Sequence, residues 1–326
     1  MKRLIGILCI WCAAVFAYAG VHTYTKESAL SKGTIIKIRV SETGVHKLPY
    51  DSLTAWGLNA NNVSVLGYGG GLLSENFSLT KWDDLPAVPF YMHKGSDNVF
   101  NSGDYILFYA QGPVKWDCDK NGQWRHTQNP YSHYGYYFVT DNASHQKKIA
   151  LSTKKYDTNN VTDVDWYTVY SVHEKDELNL IDATGVNGGG REFYGEVLNI
   201  KNKNVSIQFP MQNVRTDKNT YCKVDLAAYS SESTTTVKVN YAGTTTARTL
   251  PAISISDYYT KAITDSVIVA TKANSKTTQI VNIYFTSTTS GAVTYLNYVE
   301  INAPCDLIMK GNELHITNAC YLGQRP

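Results

Sequence analysis

Ser102-Gly103-Asp104-Tyr105-Ile106-Leu107-Phe108-Tyr109-Ala110-Gln111-Gly112-Pro113 decides the fold. Six apolar or aromatic residues run without interruption from Tyr105 to Ala110, between a Gly-Asp turn and a Gly-Pro stop. The run is too short for a free-standing helix and carries breakers at both ends, so it reads as a strand. Its aromatic content and its continuity predict burial on both faces. Residues from Thr34 to Thr140 read as shorter strands that pair around it.

Moving outward on the N-terminal side, 34–40 alternates as a half-buried strand, and Glu42-Thr43-Gly44 turns it into a hairpin with 45–48. Asp51 is placed to cap one short helix over 52–56, closed by Gly57. Residues 63–66 form a further strand that runs into a glycine cluster. Pro86 and Pro89 predict an edge strand reaching His93. On the C-terminal side, Trp116 and Trp124 are expected to face each other across a turn, and 136–140 is expected to pair with 148–152. The stretch 173–180 has helical character. Asp182 to Gly190, ending in three glycines, is the best boundary. Strands then recur at 205–209, 222–229, 234–241, 266–270, 278–285 and 293–301, with Thr-, Ser- and Gly-rich links. That rhythm predicts a β-sandwich of ~110 residues.

The fold class expected is mainly β: a mixed or antiparallel β-rich domain over 20–185, a β-sandwich over 186–304, and the start of a truncated further piece over 305–326. Residues 1–19 read as a signal peptide. Lys2-Arg3 form the basic region, residues 4–16 the apolar core, and Ala17-Tyr18-Ala19 an A-x-A cleavage site. The apolar run is shorter than the roughly 20 residues a spanning helix needs. Export through the leader, to the cell surface or outer membrane, is the expected localisation.

The chain has 326 residues, with 30 Lys and Arg against 28 Asp and Glu. Taking the leader's two cations from the 30 leaves 28 of each sign, a neutral mature chain. Neutrality removes the general attraction that nucleic-acid binding needs, so no nucleic-acid partner is expected. Tyrosine is abundant at 24 residues; such rings more often build a core than a sugar platform.

Several segments resemble, in order, the N-terminal region of the type IX secretion system sortases, a family of gingipain-type cysteine peptidases of Bacteroidetes. They are Ser41 to Leu48, Gly67-Tyr68-Gly69-Gly70-Gly71, Asp83-Asp84-Leu85, Gly103 to Pro113, Tyr131 to Phe138, and Gly190-Arg191-Glu192-Phe193-Tyr194-Gly195-Glu196. Together they span most of 34–196; the rest is similar only in its β-rich texture. The resemblance implies a non-catalytic, propeptide-like scaffold at the cell surface. Its implied partners are a catalytic domain of its own polypeptide, an outer-membrane β-barrel subunit, and the C-terminal signal domains of secreted cargo, which the family processes. None of these segments is a catalytic motif, so no catalytic residue is carried over. The alternative is a stand-alone surface adhesin or carbohydrate-binding β-protein.

Candidate chemistry is sparse. The 67–71 cluster lacks the sixth-position glycine and following helix of a dinucleotide fingerprint and reads as a tight turn. Asp117, Asp119 and Asn121 match the opening of a calcium loop, but position twelve is Gln128, which supplies no bidentate carboxylate. An Asn-Gly hairpin turn outweighs calcium there, and calcium is the one cofactor weighed. The Asp83-Asp84 pair could bind a cation, though such pairs more often cap turns. Four cysteines follow the leader, and Cys305 with Cys320 is the easiest local disulfide, weighed evenly against two unpaired thiols. Cys118 is placed in a turn, and Cys222 at a strand start among polar neighbours. None of the eight histidines precedes a glycine, and no α/β alternation exists to host a Cys/His dyad.

Overall fold

The computed structural model describes residues 24–76, 82–152, 164–179, 192–256, 260–309 and 316. The chain forms two units. One comprises 1–113 with 134–152; the other comprises 114–133 with 153–326. Both are built from mostly antiparallel β-sheet, as the strand rhythm predicts.

Among the described residues the first unit has two sheets. Strands β1 (Ile35–Val40), β8 (Gly135–Thr140) and β3 (Ser64–Gly69) pair in the order β1-β8-β3. Strands β2 (Gly44–Pro49), β5 (Tyr105–Ala110), β4 (Phe90–His93) and β9 (Lys148–Ile149) pair in the order β2-β5-β4-β9. The 41–43 turn therefore carries the chain from one sheet to the other instead of closing a hairpin: β1 pairs with β8, and β2 with β5. The expected pairing of 136–140 with 148–152 is likewise replaced, since β9 runs parallel to β4. That contact gives β4 a neighbour on each side, so it is not an edge strand. The helix α1 (Tyr50–Ala55) follows Pro49 with no side-chain cap from Asp51, and Gly57 closes it at φ +80°.

Val65, Phe90, Ile106, Phe108, Tyr137 and Val139 lie at the centre of this unit's core. Strand β5 is buried on one face only. Ile106, Phe108 and Ala110 turn inward, whereas Tyr109 is 63% exposed. An uninterrupted apolar run here encodes a pleated strand with aromatic residues on its open side.

Four of the segments that carry the family resemblance converge at one end of this unit. Gly70 N–H donates to Gln111 O at 2.9 Å, Gln111 N–H donates to the Tyr137 hydroxyl at 2.8 Å, and Gly112 N–H donates to Thr43 Oγ1 at 3.0 Å. A Cβ on Gly135 would stand 2.4 Å from Gln111 O and 2.8 Å from Gly70 N. Three backbones meet too closely there for any side chain, which accounts for the glycine cluster without a nucleotide.

The second unit is a sandwich. One sheet has the order β10-β18-β13-β16, built from β10 (Trp166–Glu174), β18 (Val293–Asp306), β13 (Asn219–Tyr229) and β16 (Ile263–Lys272), with β11 (Val197–Asn199) also on β18. The other has the order β12-β17-β14-β15, built from β12 (Asn204–Pro210), β17 (Thr278–Ser287), β14 (Thr235–Tyr241) and β15 (Thr244–Leu250). Their inner faces pack Val224, Leu226, Val239, Ile283, Val299 and Ile301 into one core. Strand β15, Thr-Thr-Thr-Ala-Arg-Thr-Leu, escaped the sequence reading because only Leu250 is buried in it.

Three further expectations need correction. The 173–180 stretch is not helical at its start, since β10 pairs with β18 from Trp166↔Asp306 to Glu174↔Tyr298. The sandwich therefore begins well before residue 186, and it also takes 114–133 from within the expected first domain. Cys305 belongs to β18, inside the sandwich and not in a further piece; nearly all of 310–326 lies outside the described residues.

Candidate functional site

A buried set of ionisable side chains sits on the outer face of the sandwich's β10-β18 pair. Along β18, Val299, Ile301 and Ala303 point into the core, so Glu300 and Asn302 must point outward. Outward residues of a sheet are normally wet, yet the Glu300 side chain is only 1% exposed. The cover is the hairpin of β6 (Val114–Cys118) and β7 (Trp124–Gln128).

Trp124 N–H donates to Asn302 Oδ1 at 2.7 Å, and Asn302 Nδ2 donates back to Trp124 O at 3.0 Å. Arg125 Nη1 donates to Glu300 Oε1 at 2.6 Å. The His126 ring lies between two carboxylates, with Nδ1 2.8 Å from Glu300 Oε2 and Nε2 2.7 Å from Glu174 Oε2. Its side chain is 3% exposed. Gln128 Nε2 donates to Asp176 at 2.6 Å. Trp116 and Trp124 do not face each other; both rings pack on Tyr170, with centroids 4.3 and 5.2 Å away.

The electrostatics follow from this geometry. Burial alone would push the His126 imidazole down, but the hydrogen bonds to Glu174 and Glu300, with their charges, raise it to about 9. Burial would likewise raise Glu300; the bonds from His126 and Arg125 overcome that and hold it below the usual carboxylate range. His126 is therefore an imidazolium donating from both nitrogens. With both nitrogens engaged by carboxylates and almost no exposure, the ring fastens the hairpin to the sheet.

The calcium candidates fall at the tip of this hairpin. Asp119 Oδ1 accepts the N–H groups of Asn121 at 2.8 Å and Gln123 at 3.0 Å, and Oδ2 accepts Arg125 Nε at 3.2 Å. Despite its burial, these bonds keep the Asp119 carboxyl below its ordinary value. Asp117 pairs with Lys115 at 2.8 Å. The Asp119 carboxylate is thus engaged in an Asx-type turn and that of Asp117 in an ion pair. Among the described residues no group of three or more His, Cys, Asp or Glu is placed to hold a metal ion.

Asp83 and Asp84 fasten the N-terminal segment. Asp83 Oδ2 accepts Thr25 Oγ1 at 2.6 Å and Thr25 N–H, and Asp84 Oδ2 accepts Ala29 N–H. Cys222 lies inside β13 rather than at a strand start, fully buried in the core, where burial pushes its thiol up, away from thiolate. Cys305 lies in the same core, while Cys320 is outside the described residues. Both core-facing cysteines are on the face of the sheet opposite His126.

Sequence reading missed His126, Glu174 and Glu300. The usable signal was Val-Glu-Ile-Asn-Ala at 299–303, which alternates correctly; no local pattern names the cover. The resemblance segment around Tyr194 also has a structural role. Tyr194 and Leu178 exchange backbone hydrogen bonds at 2.8 Å, and Glu196 Oε1 accepts from Lys175 at 2.8 Å and bonds His173 Nε2 at 2.9 Å.

No protein-family model matches the chain, and no curated protein matches it. Among solved structures it is similar to dimeric latent PorU from Porphyromonas gingivalis, with a TM-score of 0.73 and 26% identity. That match covers 89% of this chain and 26% of the PorU chain, so the chain spans about a quarter of its relative's length. A carbohydrate-binding module, CBM36, in complex with calcium and xylotriose matches 40% of this chain and 98% of its own at a TM-score of 0.26 and 16% identity. The Bacillus thuringiensis delta-endotoxin Cry8Ea1 matches 74% of this chain and 41% of its own at 0.24 and 12% identity. The last two likenesses carry no argument. The fold of this chain is PorU-like.

Proposed function

We propose that this chain is the non-catalytic N-terminal, propeptide-like scaffold of a type IX secretion system sortase of the gingipain family. The observation that carries the proposal is the 89% of the chain that superposes on PorU. In this reading the chain is exported through its signal peptide and acts at the cell surface. It packs on the catalytic domain of its own polypeptide, which processes the C-terminal signals of cargo, and an outer-membrane β-barrel subunit tethers the assembly. The solved relative is described as dimeric and latent, which supports self-association as part of the same proposal.

The site chemistry is consistent with a scaffold: the described histidine with the most perturbed ring is spent on two glutamates, and Cys222 and Cys305 face the sandwich core. The adhesin alternative has no observation that favours it. The test has two arms. The purified chain, incubated with a cargo C-terminal signal peptide, is expected to leave it uncut; deleting 24–309 from the gene in the producing cell is expected to leave cargo unprocessed. Cleavage by the chain alone, blocked by a cysteine-directed inhibitor, overturns the non-catalytic role. Normal cargo processing after the deletion overturns the scaffold role.

A further inference from the structure

The hairpin of β6 and β7 is fastened to the sandwich without being woven into it. Its two strands pair with each other in a sheet of their own. Among the described residues, the buried core of the sandwich is drawn from 198–305 and includes nothing from 114–128. Beneath the hairpin, β18 keeps its backbone pairing to β10 on one side and to β13 on the other. The charged contacts divide cleanly by side. Arg125 and His126 are on the hairpin, and Glu174 and Glu300 are on the sheet. Gln128, also on the hairpin, reaches Asp176 just beyond β10.

His126 holds the balance of charge. Glu174 faces it from β10 and Glu300 from β18, while Arg125 beside it bonds both Glu300 and Asp119. Tyr298 of β18 meets the ring edge-on at 4.5 Å, and its hydroxyl accepts from Lys223 of β13, which lies 3.6 Å from Asp225. On β6, Lys115 and Asp117 pair with each other. As an imidazolium the ring donates to both glutamates. A neutral ring keeps one N–H and turns its lone pair on a carboxylate oxygen 2.7 or 2.8 Å away. Arg125 is then the one cation left in contact with the glutamate pair, and separation from the hairpin returns both carboxylates to water. We propose that the 114–128 hairpin is a strap that lifts off as one piece when His126 loses its proton, uncovering Glu174, Glu300 and the Tyr170 ring while the sandwich stays folded. The raised value of the ring, about 9, sets where this happens. The strap rests on this geometry and not on the sortase reading.

Hydrogen exchange of the full chain, read segment by segment by mass spectrometry between pH 7 and about pH 10, tests this. Each rate is corrected for the intrinsic rise of exchange with pH. Residues 114–128 are expected to lose protection about tenfold or more across that range, while 219–229 and 293–306 keep theirs. The parent chain decides the matter without any variant. In His126→Gln, which has no proton to lose, 114–128 is expected to exchange fast already at pH 7 and to show no step with pH; far-UV circular dichroism checks that it is folded. Unchanged protection of 114–128 in the parent overturns the strap, as does an equal loss in 219–229 and 293–306, which would mean that the sandwich opens with it. The same step with pH in folded His126→Gln overturns the assignment of the trigger to this ring.

Discussion

Two sheet faces in this molecule are built on the same alternation and end in opposite conditions. On β18 of the sandwich, the outward side chains are Glu300 and Asn302, and both are buried. On β5 of the first unit, the outward side chains include Leu107 and Tyr109, and Tyr109 is largely exposed. Charge is hidden where apolar surface would be expected, and apolar surface is open where charge would be expected. The inward face of a strand is dictated by its own pattern, whereas the condition of the outward face depends on what arrives from elsewhere in the chain. In the sandwich that arrival is the 114–128 hairpin, which brings the matching donors Arg125, His126 and the Trp124 backbone.

Removing one member of the buried charge set breaks the contrast most severely. Glu300→Ala leaves His126 and Arg125 without their shared acceptor and is expected to cost about 3–5 kcal/mol. Urea unfolding followed by fluorescence reads this, since Trp116 and Trp124 sit on the hairpin; a loss under about 1 kcal/mol would mean that the aromatic packing on Tyr170 docks it.

Acidity gives the next largest effect. The folded His126 value, about 9, lies above the ordinary 6.5, so its contribution is fully present below pH 6.5 and is lost as pH rises through about 9. The loss should be on the order of 3 kcal/mol, and His126→Gln should flatten stability across that range. Glu300, with a lowered value, works in the other direction: its contribution is present above the ordinary carboxylate range and disappears in acid as pH falls through the folded value. A melting temperature independent of pH between 6.5 and 9 would show that the imidazolium is not needed.

Asn302→Ala removes both bonds to the Trp124 backbone and should cost about 1–3 kcal/mol. Tyr109→Ser, on the uncovered face, should change stability by no more than about 0.5 kcal/mol. A much larger loss at Tyr109 would mean that its ring packs within the unit, and the two faces would then no longer be opposites.

The β class, the 35–40, 105–110 and 135–140 strands and most of the sandwich strands were legible, because period-two alternation and Gly- or Pro-marked ends are local properties. Pairing was not. The 41–43 turn looks like a hairpin, yet it hands the chain from one sheet to another, and only the close approach of Gly112 to Ser41 and Glu42 shows why. The calcium-like hairpin tip was read with its competing turn, and Asp119 accepts its own loop's N–H groups. The buried cluster could not be read. His126, Glu174 and Glu300 are 48 and 174 residues apart along the chain from His126, and nothing in their immediate neighbours signals the meeting.

The hairpin also sets a timetable. Residues 114–128 are synthesised early, but their acceptors Glu300 and Asn302 belong to β18, the last strand of the sandwich among the described residues. Until β18 emerges, Arg125 and His126 remain hydrated, and β10 and β13 lack the neighbour that both require. That sheet therefore cannot be completed before β18 has been made. A chain interrupted before residue 293 would leave the hairpin without its Glu300 and Asn302 acceptors and the sheet without the strand that joins β10 to β13.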